Sequence, residues 1–395
     1  MRFKNYLIII LVFTLILLFS AGLNNHQVQA IDIGGELNLN ADLNYSAEGD
    51  LTTGFSGSTE LEFYLPGAAG IEPRLVIQGL LRDSGEADFN FKYLYLRRRF
   101  NNGHLTLGRQ PVSWSYGAVI NPYDYGFSIE GLAGETLTPG IDGARYFHSL
   151  GAGKSLQAVI NWPEYNSELD ELGFGARLRL PGQGYDLSFN VASQKIPHID
   201  IIDDELVLLE DRLTRAGLTY SGDIGELGAY GAAGYYRLHD TEIDDWVIQL
   251  GLDYSWVTGE FGSRQIIVQG EYLRFVQNDL DMTALLGLAI SNQSLGEQVP
   301  GGDMSGGNMS ASSIAGGEIF TARDLFILNI STNLDSFTNI GLALLGETEK
   351  NNLMAAPYYI SDLGGGLELR LDGSIGLDSD NEINTGISAG MIYYF

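Results

Sequence analysis

Cysteine is absent from the 395-residue sequence. The chain therefore has no disulfide bond, no thiolate-bound metal and no cysteine that could carry an N-terminal lipid anchor. If the protein is exported, its stability must come from another source. A closed, fully hydrogen-bonded β-sheet would be one such source.

Basic residues are scarce, with 22 Lys and Arg against 50 Asp and Glu. Arg2 and Lys4 lie in residues 1–30, which contain no acidic residue, so residues 31–395 hold 20 basic against 50 acidic residues. A protein that neutralises nucleic-acid phosphates needs a basic face. This balance argues against nucleic acid as a partner, and it fits a protein with acidic, solvated loops.

Long apolar runs are also few, because only residues 7–19 form one, interrupted by Thr14. A short basic head precedes the run and Val28-Gln29-Ala30 follows it, which predicts a cleaved secretory signal peptide over residues 1–30. A retained membrane anchor is the alternative, but the run is shorter than the ~20 residues that a transmembrane helix needs. No later stretch is long enough for such a helix. If residues 31–395 enter a membrane, they must form a closed β-barrel, because only helices and closed barrels satisfy their backbone polar groups in lipid.

Catalytic motifs are missing as well. None of the histidines outside residues 1–30 has a partner at metal-ligand or nucleophile spacing, and no Gly-x-Ser-x-Gly, Walker or dinucleotide-binding motif occurs in a strand–turn–helix context. We expect no enzyme activity, no cofactor and no metal site. A barrel hydrolase with scattered catalytic residues is the alternative. The acid-rich stretch 200–211 lacks the spacing of an EF-hand, so it is expected to be a solvated loop, and calcium binding there stays open.

Period-two alternation dominates residues 31–395. In residues 31–43 every odd position is apolar or Gly and every even position is polar or Gly, and segments 172–180, 246–256 and 363–371 repeat the pattern. A soluble sandwich alternates too, but these strands run to about 9–14 residues, against a usual ~5–6. Aromatic residues also lie at strand ends, as in the interfacial girdles of membrane barrels. They are Trp114, Trp162, Trp246, Trp256, Tyr393 and Phe395.

Short turns and long connections alternate along the chain. The eight short turns are predicted at 67–70, 101–103, 151–154, 181–184, 221–225, 258–263, 334–337 and 372–374. The nine long connections are predicted near 45–54, 83–88, 110–140, 163–169, 196–210, 239–243, 278–320, 349–357 and 379–383. Bacterial barrels have short periplasmic turns and long extracellular loops. Residues 31–395 are therefore predicted to form one all-β domain, a transmembrane antiparallel up-and-down β-barrel of about 18 strands, with 16 as the alternative.

The C-terminal segment carries a family resemblance. Ile387, Ala389, Met391, Tyr393 and Phe395 share one face, and the chain ends on Phe395. This pattern resembles the final strand of bacterial outer-membrane proteins, whose terminal aromatic residue is the signal for the barrel assembly machinery. The resemblance implies that Phe395 is an assembly signal. It also implies an outer-membrane location after export, with outer-membrane lipid and the assembly machinery as partners.

The connection at 110–140 carries a second resemblance. The run LGRQPVSWSYGAVINPYD at residues 107–124 is similar to a segment of alginate-export and related porin-like barrels. Counted along the chain, the connection joins strands five and six, as does the loop that sets the constriction in general and substrate-specific porins. Independently, its prolines exclude a simple strand, and its five aromatic residues would gain burial by packing on the barrel wall. A lid over the barrel mouth is the alternative. Residues 278–320 are expected to be a long flexible loop.

Strand parity assigns several arginines to the inside of the barrel. With the apolar parity outward, the inward arginines are Arg74, Arg82, Arg97, Arg99, Arg177 and Arg179, joined by Arg145. They lie on strands three to eight, whereas the opposite wall is more acidic, with Asp253, Asn329, Asn333, Asp335, Glu347, Glu368 and Asp372. A basic arc facing acidic loop residues would filter solutes by charge. The alternative is that these arginines pair with lumen carboxylates and fill the interior.

These features predict an outer-membrane porin, a water-filled channel for passive diffusion of small hydrophilic solutes. Its lining would combine the seven arginines with Trp114, Tyr116, Asp124, Glu130 and Glu135 of the 110–140 loop. About 18 strands enclose more space than side chains fill. A packed structural or adhesive barrel, the other alternative, would need a plug, and only 110–140 and 278–320 are long enough to supply one. A homotrimer stays open, since no residue indicates an interface.

Overall fold

A computed structural model describes most of the chain after residue 31. The described residues are 32–45, 51–67, 70–81, 87–114, 117, 123, 140–162, 171–202, 205–240, 242–259, 264–277, 324–348, 352–377 and 383–395. The predicted signal peptide and the predicted loop 278–320 lie outside these residues.

Eighteen strands make up the described residues. They are β1 (Asp32–Tyr45), β2 (Leu51–Tyr64), β3 (Ile71–Leu81), β4 (Ala87–Phe100), β5 (Gly103–Pro111), β6 (Gly140–Gly151), β7 (Lys154–Asn161), β8 (Gly173–Gly182), β9 (Tyr185–Ile202), β10 (Glu205–Ile224), β11 (Leu227–Leu238), β12 (Asp244–Thr258), β13 (Arg264–Phe275), β14 (Asp324–Asn333), β15 (Thr338–Glu347), β16 (Leu353–Gly364), β17 (Leu367–Leu377) and β18 (Ile383–Tyr394). The prediction of 18 strands is confirmed, and the alternative of 16 is wrong.

The strands form one closed antiparallel barrel. Each strand pairs with its neighbours in the chain, and β1 pairs with β18, with Leu37 opposite Tyr393 and Leu43 opposite Ile387. Gly35 and Phe395 exchange two backbone hydrogen bonds, each of 3.1 Å, so the terminal residue extends this last pairing. Closure removes the free edges that an open sheet would expose.

The predicted turn at 372–374 is wrong. Those residues lie inside β17, and the chain reverses instead at residues 365–366. Gly364, Gly365 and Gly366 have φ values of 84°, 66° and 82°, a left-handed conformation that glycine adopts without steric cost. The sequence alternation continues through residues 363–371, so it gave no indication of the turn. Alternation reports the spacing of apolar residues and carries no information about backbone angles.

Two other predicted positions differ. The connection at 196–210 is mostly strand, because β9 continues to Ile202, which pairs with Glu205 at the start of β10. Asp335 lies in the turn at 334–337 and not on a strand wall. The backbone N–H of Phe337 donates to Asp335 Oδ1 over 2.8 Å, and this hydrogen bond lowers the pKa of that carboxyl group below its ordinary value.

The two faces of the barrel wall differ in polarity. On β12 the outward face exposes Trp246, Leu250 and Leu252, whereas the inward Asp245 and Gln249 are buried. An apolar exterior around a closed sheet is the arrangement of a membrane-spanning barrel. No helix among the described residues is long and apolar enough to cross a membrane.

A charge on the outward face should destabilise the barrel. Leu250, near the middle of β12, is 59 % exposed on that face. We expect Leu250→Arg to lower the free energy of unfolding in lipid by about 2–4 kcal/mol, because the guanidinium would lie near the bilayer midplane. Ser255→Arg, on the inward parity of the same strand, is the control and should change it little. Urea titrations in lipid vesicles measure both, and equal losses would contradict the assignment of the two faces.

Candidate channel lining

Six of the seven arginines assigned to the lumen lie in the described residues, and all six fall on the inward parity. Arg74 is on β3, Arg97 and Arg99 on β4, Arg145 on β6, and Arg177 and Arg179 on β8. The register continues this parity from strand to strand, since Arg97 and Arg145 both oppose Thr106 of β5. Other residues assigned to the lining, namely Arg82, Tyr116, Asp124, Glu130 and Glu135, lie outside the described residues.

Three of these arginines pair with carboxylates on the wall. Arg74 Nη2 lies 2.8 Å from Glu62 Oε1, and Arg179 forms an ion pair with Asp186. Arg99 binds Glu72 through two nitrogens, at 2.6 and 3.1 Å. These pairs cancel part of the positive charge of the arc.

Arg177 is held by a neutral group. Its Nε and Nη2 atoms both donate to Ser188 Oγ on β9, at 3.1 and 3.0 Å, and the residue is only 7 % exposed. A hydroxyl orients a guanidinium without neutralising it, so Arg177 keeps its full charge with respect to this contact.

Arg97 and Arg145 differ from the paired arginines, because no carboxylate among the described residues lies within ion-pair distance of either. The Arg97 guanidinium lies 5.4 Å from the centre of the Tyr95 ring, and Arg145 Nη1 donates to the Pro111 carbonyl oxygen over 3.0 Å. The Nε atoms of both arginines are buried and have no hydrogen-bond partner within the described part of the chain. Positive charge on this wall is therefore concentrated on either side of Thr106.

Parity analysis missed the inward arginine of β10. Arg215 on β10 is completely buried and lies on the inward face, opposite Ala192 of β9 and Tyr236 of β11. Arg215 lies in the same row of cross-strand partners as Arg145. Arg145 pairs with Val159, Val159 with Gly175, and Gly175 with Ala192, which is opposite Arg215. The sequence signal was ambiguous, because residues 211–217 place apolar and charged residues on both parities. Leu218 and Tyr220, later in the same strand, indicate that even-numbered positions face outward. Applying that alternation back to position 215 would have placed Arg215 on the inward face.

Trp114, at the start of the 110–140 connection, packs against the inner wall. It is 1 % exposed, and its Nε1 atom donates to Gln157 Oε1 on β7 over 3.1 Å. It belongs to one buried apolar cluster with inward residues of three strands. The cluster contains Val112, Trp114, Tyr123, Val159, Ala192 and Ala232, with Ile141 packed against it.

Tyr123 contacts the wall at β10 and β11. Its hydroxyl donates to the Ala233 carbonyl oxygen over 3.3 Å, and its ring centre lies 6.0 Å from that of Tyr236. Gly217 and Gly234 face each other in the register, and a Cβ atom on either would overlap the Tyr123 hydroxyl oxygen. The two glycines thus form a notch that receives this side chain. Two separate points of the connection therefore rest on the inward face, one on β7 and one on β10–β11.

The acidic side of the lumen contains more than the sequence indicated. Asp253, Asn329, Glu347, Glu368 and Asp372 follow the inward parity through the register. A further carboxylate, that of Glu271 on β13, is 6 % exposed and also lies inward. It accepts hydrogen bonds from the Tyr230 hydroxyl over 2.9 Å and from Gln249 Nε2 over 3.4 Å. Within the described residues no three His, Cys, Asp or Glu residues form a group suited to a metal ion.

Comparison with known proteins identifies the fold. No family model matches the sequence, and no curated protein matches it. Among solved structures, the chain is similar to OccK11 (OpdR) of Pseudomonas aeruginosa, with 12 % identity over 92 % of this chain and 96 % of that chain, at a TM-score of 0.55. It is also similar to OccAB1 of Acinetobacter baumannii, with 10 % identity over 92 % of this chain and 97 % of that chain, at a TM-score of 0.53. At these identities the similarity shows the fold, which is that of a porin-like β-barrel of the outer-membrane type.

Proposed function

We propose that this porin-like barrel is a channel in the outer membrane through which small hydrophilic solutes diffuse passively. The observation that carries the proposal is a closed wall of 18 strands with an apolar outside and a polar, charged inside. A barrel of this size encloses more volume than its own wall side chains fill. The outward face then contacts outer-membrane lipid, and the exposed terminal Phe395 serves as the signal for the barrel assembly machinery.

The proposed filter consists of two parts on neighbouring arcs of the wall. Arg97 and Arg145 supply positive charge on β4 and β6, and the 110–140 connection narrows the lumen where Trp114 and Tyr123 seat it. Positive charge that no carboxylate of the described residues balances attracts anionic groups of a solute. The filter therefore favours anions over cations of the same size.

A second candidate is a barrel whose lumen is largely filled. It is supported by inward apolar residues on β12, β13 and β14 that are nearly inaccessible. Val247 is 3 % exposed, Leu273 4 %, Phe275 1 %, Leu325 4 % and Ile327 4 %. A lumen open along this wall would leave these side chains exposed to water. A packed structural or adhesive barrel, or a barrel hydrolase, would give the same burial.

Swelling of liposomes distinguishes the candidates. We expect vesicles that contain the purified, folded protein to swell in isosmotic arabinose and more slowly in stachyose, because a channel passes the smaller sugar faster. Vesicles with the heat-unfolded protein are the control. No swelling above this control with either sugar would exclude the channel and leave the filled barrel or the hydrolase. The same detergent-solubilised sample, analysed by light scattering, reports whether the protein is a monomer or a homotrimer.

A further inference from the structure

The closing seam of the barrel places two carboxylates on either side of a serine. Asp42 of β1 is opposite Ser388 of β18, and Ser388 is opposite Asp372 of β17. All three lie on the inward parity, as does Asn40, two residues from Asp42. Adjacent strands are about 4.8 Å apart, so both acidic side chains extend from backbones that flank the serine.

Asp42 is buried without the partners that a carboxylate needs. It is 6 % exposed, and in the described part of the chain the Ser388 hydroxyl is the one side-chain donor close enough to interact with it, although not at ideal hydrogen-bonding geometry. The neighbouring hydroxyl is that of Ser388, itself 5 % exposed, and one hydroxyl can donate to only one oxygen. A buried, uncompensated carboxylate is costly. Among the described residues no basic side chain forms an ion pair with Asp42.

Neutral oxygens lie in the next row towards the long-loop end. A Cβ atom at Gly386 would be 2.5 Å from Asn44 Oδ1 and 2.8 Å from Ser374 Oγ, so these two oxygens converge over the glycine. The absence of a side chain at Gly386 makes room for these two polar side chains, from β1 and β17, two residues from Ser388. The site can thus offer amide and hydroxyl oxygens as well as carboxylates.

The positive group on the same face of β17 is already engaged. Arg370 lies two residues from Asp372, and its Nε atom donates to Glu368 Oε1 over 2.7 Å. This ion pair commits Arg370 at least in part to Glu368, two residues before it on the strand.

We propose that Asp42, Ser388 and Asp372 bind a calcium ion at the seam between the last and first strands. Carboxylate, hydroxyl and amide oxygens are the ligands that this hard cation prefers. A polyhydroxylated solute would bring hydroxyl donors but no positive charge, so the buried carboxylate favours the cation. Two carboxylates are fewer than in tight sites, and the affinity should resemble that of extracellular modules, with a Kd of about 10⁻⁴–10⁻³ M. The bound ion would join β17, β18 and β1 across the point where the barrel closes.

Equilibrium dialysis against radioactive Ca²⁺ in 0.15 M NaCl tests the site on the full folded protein. We expect Asp42→Asn and Asp372→Asn each to bind one ion fewer per chain than the unaltered protein. Asp253→Asn is the matched control, because Asp253 is an inward carboxylate on a distant strand. The melting temperature of the unaltered protein and of the control should rise when Ca²⁺ replaces a chelator, since an ion that binds only the folded state stabilises it. That of the two seam variants should not rise.

Two results would overturn the proposal. One is unchanged ion stoichiometry in folded Asp42→Asn and Asp372→Asn. The other is a calcium-dependent rise in melting temperature that Asp42→Asn retains, which would mean that the stabilising ion binds without Asp42. Heat-modifiable mobility in gels verifies folding. If a seam variant fails to fold, Ser388→Ala provides the same comparison, with weakened binding expected.

Discussion

Replacement of Arg97 and Arg145 together by glutamine is expected to reduce the preference of the channel for anions over cations. Each guanidinium acts on a permeating ion about 6 Å away with roughly 0.7 kcal/mol in water and more where the lumen is narrow. Two such charges correspond to about a ten-fold change in the permeability ratio at low salt. The change should shrink as salt is raised, because counterions screen charges in a wet lumen. Reversal potentials across planar bilayers in a salt gradient measure the ratio.

The paired arginines provide the control for this experiment. Arg74 and Arg179 lie on the same inner wall, but Glu62 and Asp186 already balance their charges. We expect the fourfold substitution of Arg74, Glu62, Arg179 and Asp186 by neutral amides to alter the permeability ratio less, because each ion pair is removed as a neutral unit. Reversal potentials that do not change after loss of Arg97 and Arg145 would show that the arginines of this wall serve packing and not selection.

Removal of the two aromatic anchors of the 110–140 connection is expected to increase single-channel conductance. Trp114 and Tyr123 are each 1 % exposed, and both hydrogen-bond to the inner wall. Truncation of a buried aromatic side chain to alanine costs about 3–5 kcal/mol. The double variant Trp114→Ala/Tyr123→Ala therefore shifts the equilibrium between seated and unseated connection by at least about 10²-fold, at roughly ten-fold per 1.4 kcal/mol. An unseated connection obstructs the lumen less.

A second substitution disrupts the same contact by changing the barrel wall instead of the connection. Gly234→Val fills the notch that receives the Tyr123 hydroxyl, so it should increase conductance without any change in the connection itself. Trp246→Ala removes an aromatic residue from the outward face and is the matched control. Folded variants whose conductance equals that of the unaltered protein would show that these anchors do not hold a constriction.

The strand pattern was accessible from the sequence because the physical cause is local. Successive side chains on a strand point to opposite faces, so a wall between lipid and water imposes its polarity on every second residue. Residues 246–256 display this alternation in the sequence, and residues 246–252 show the corresponding exposure in the structure. The error at 372–374 has an equally local cause, because Gly364 to Gly366 satisfy the alternation while their backbone angles reverse the chain.

The charge distribution of the lumen was only partly accessible. Parity alone assigned Arg74, Arg97, Arg99 and Arg179 to the inside, yet parity does not show which carboxylate each guanidinium meets. Those partners lie on neighbouring strands at positions that depend on the register, as Glu72 does for Arg99. The distinction between a balanced arginine and an unbalanced one therefore required the register of the closed sheet. Arg215 was missed for a related reason, since the outward parity of β10 becomes clear only from its paired strands.

The sequence by itself determined that this protein is a closed β-barrel of about 18 strands with an apolar exterior, because lipid constrains every second residue of each strand, and the structure set the number at 18. Only the tertiary structure decided what the interior holds. Residues far apart in the chain meet there, as Tyr123 meets Gly217 and Gly234, and as Asp42 meets Ser388 across the closing seam. No local sequence pattern encodes these contacts, because they depend on strand register and barrel closure. Register and closure also determine the positions of the notch, of the arginines without a carboxylate partner among the described residues, and of the seam carboxylates.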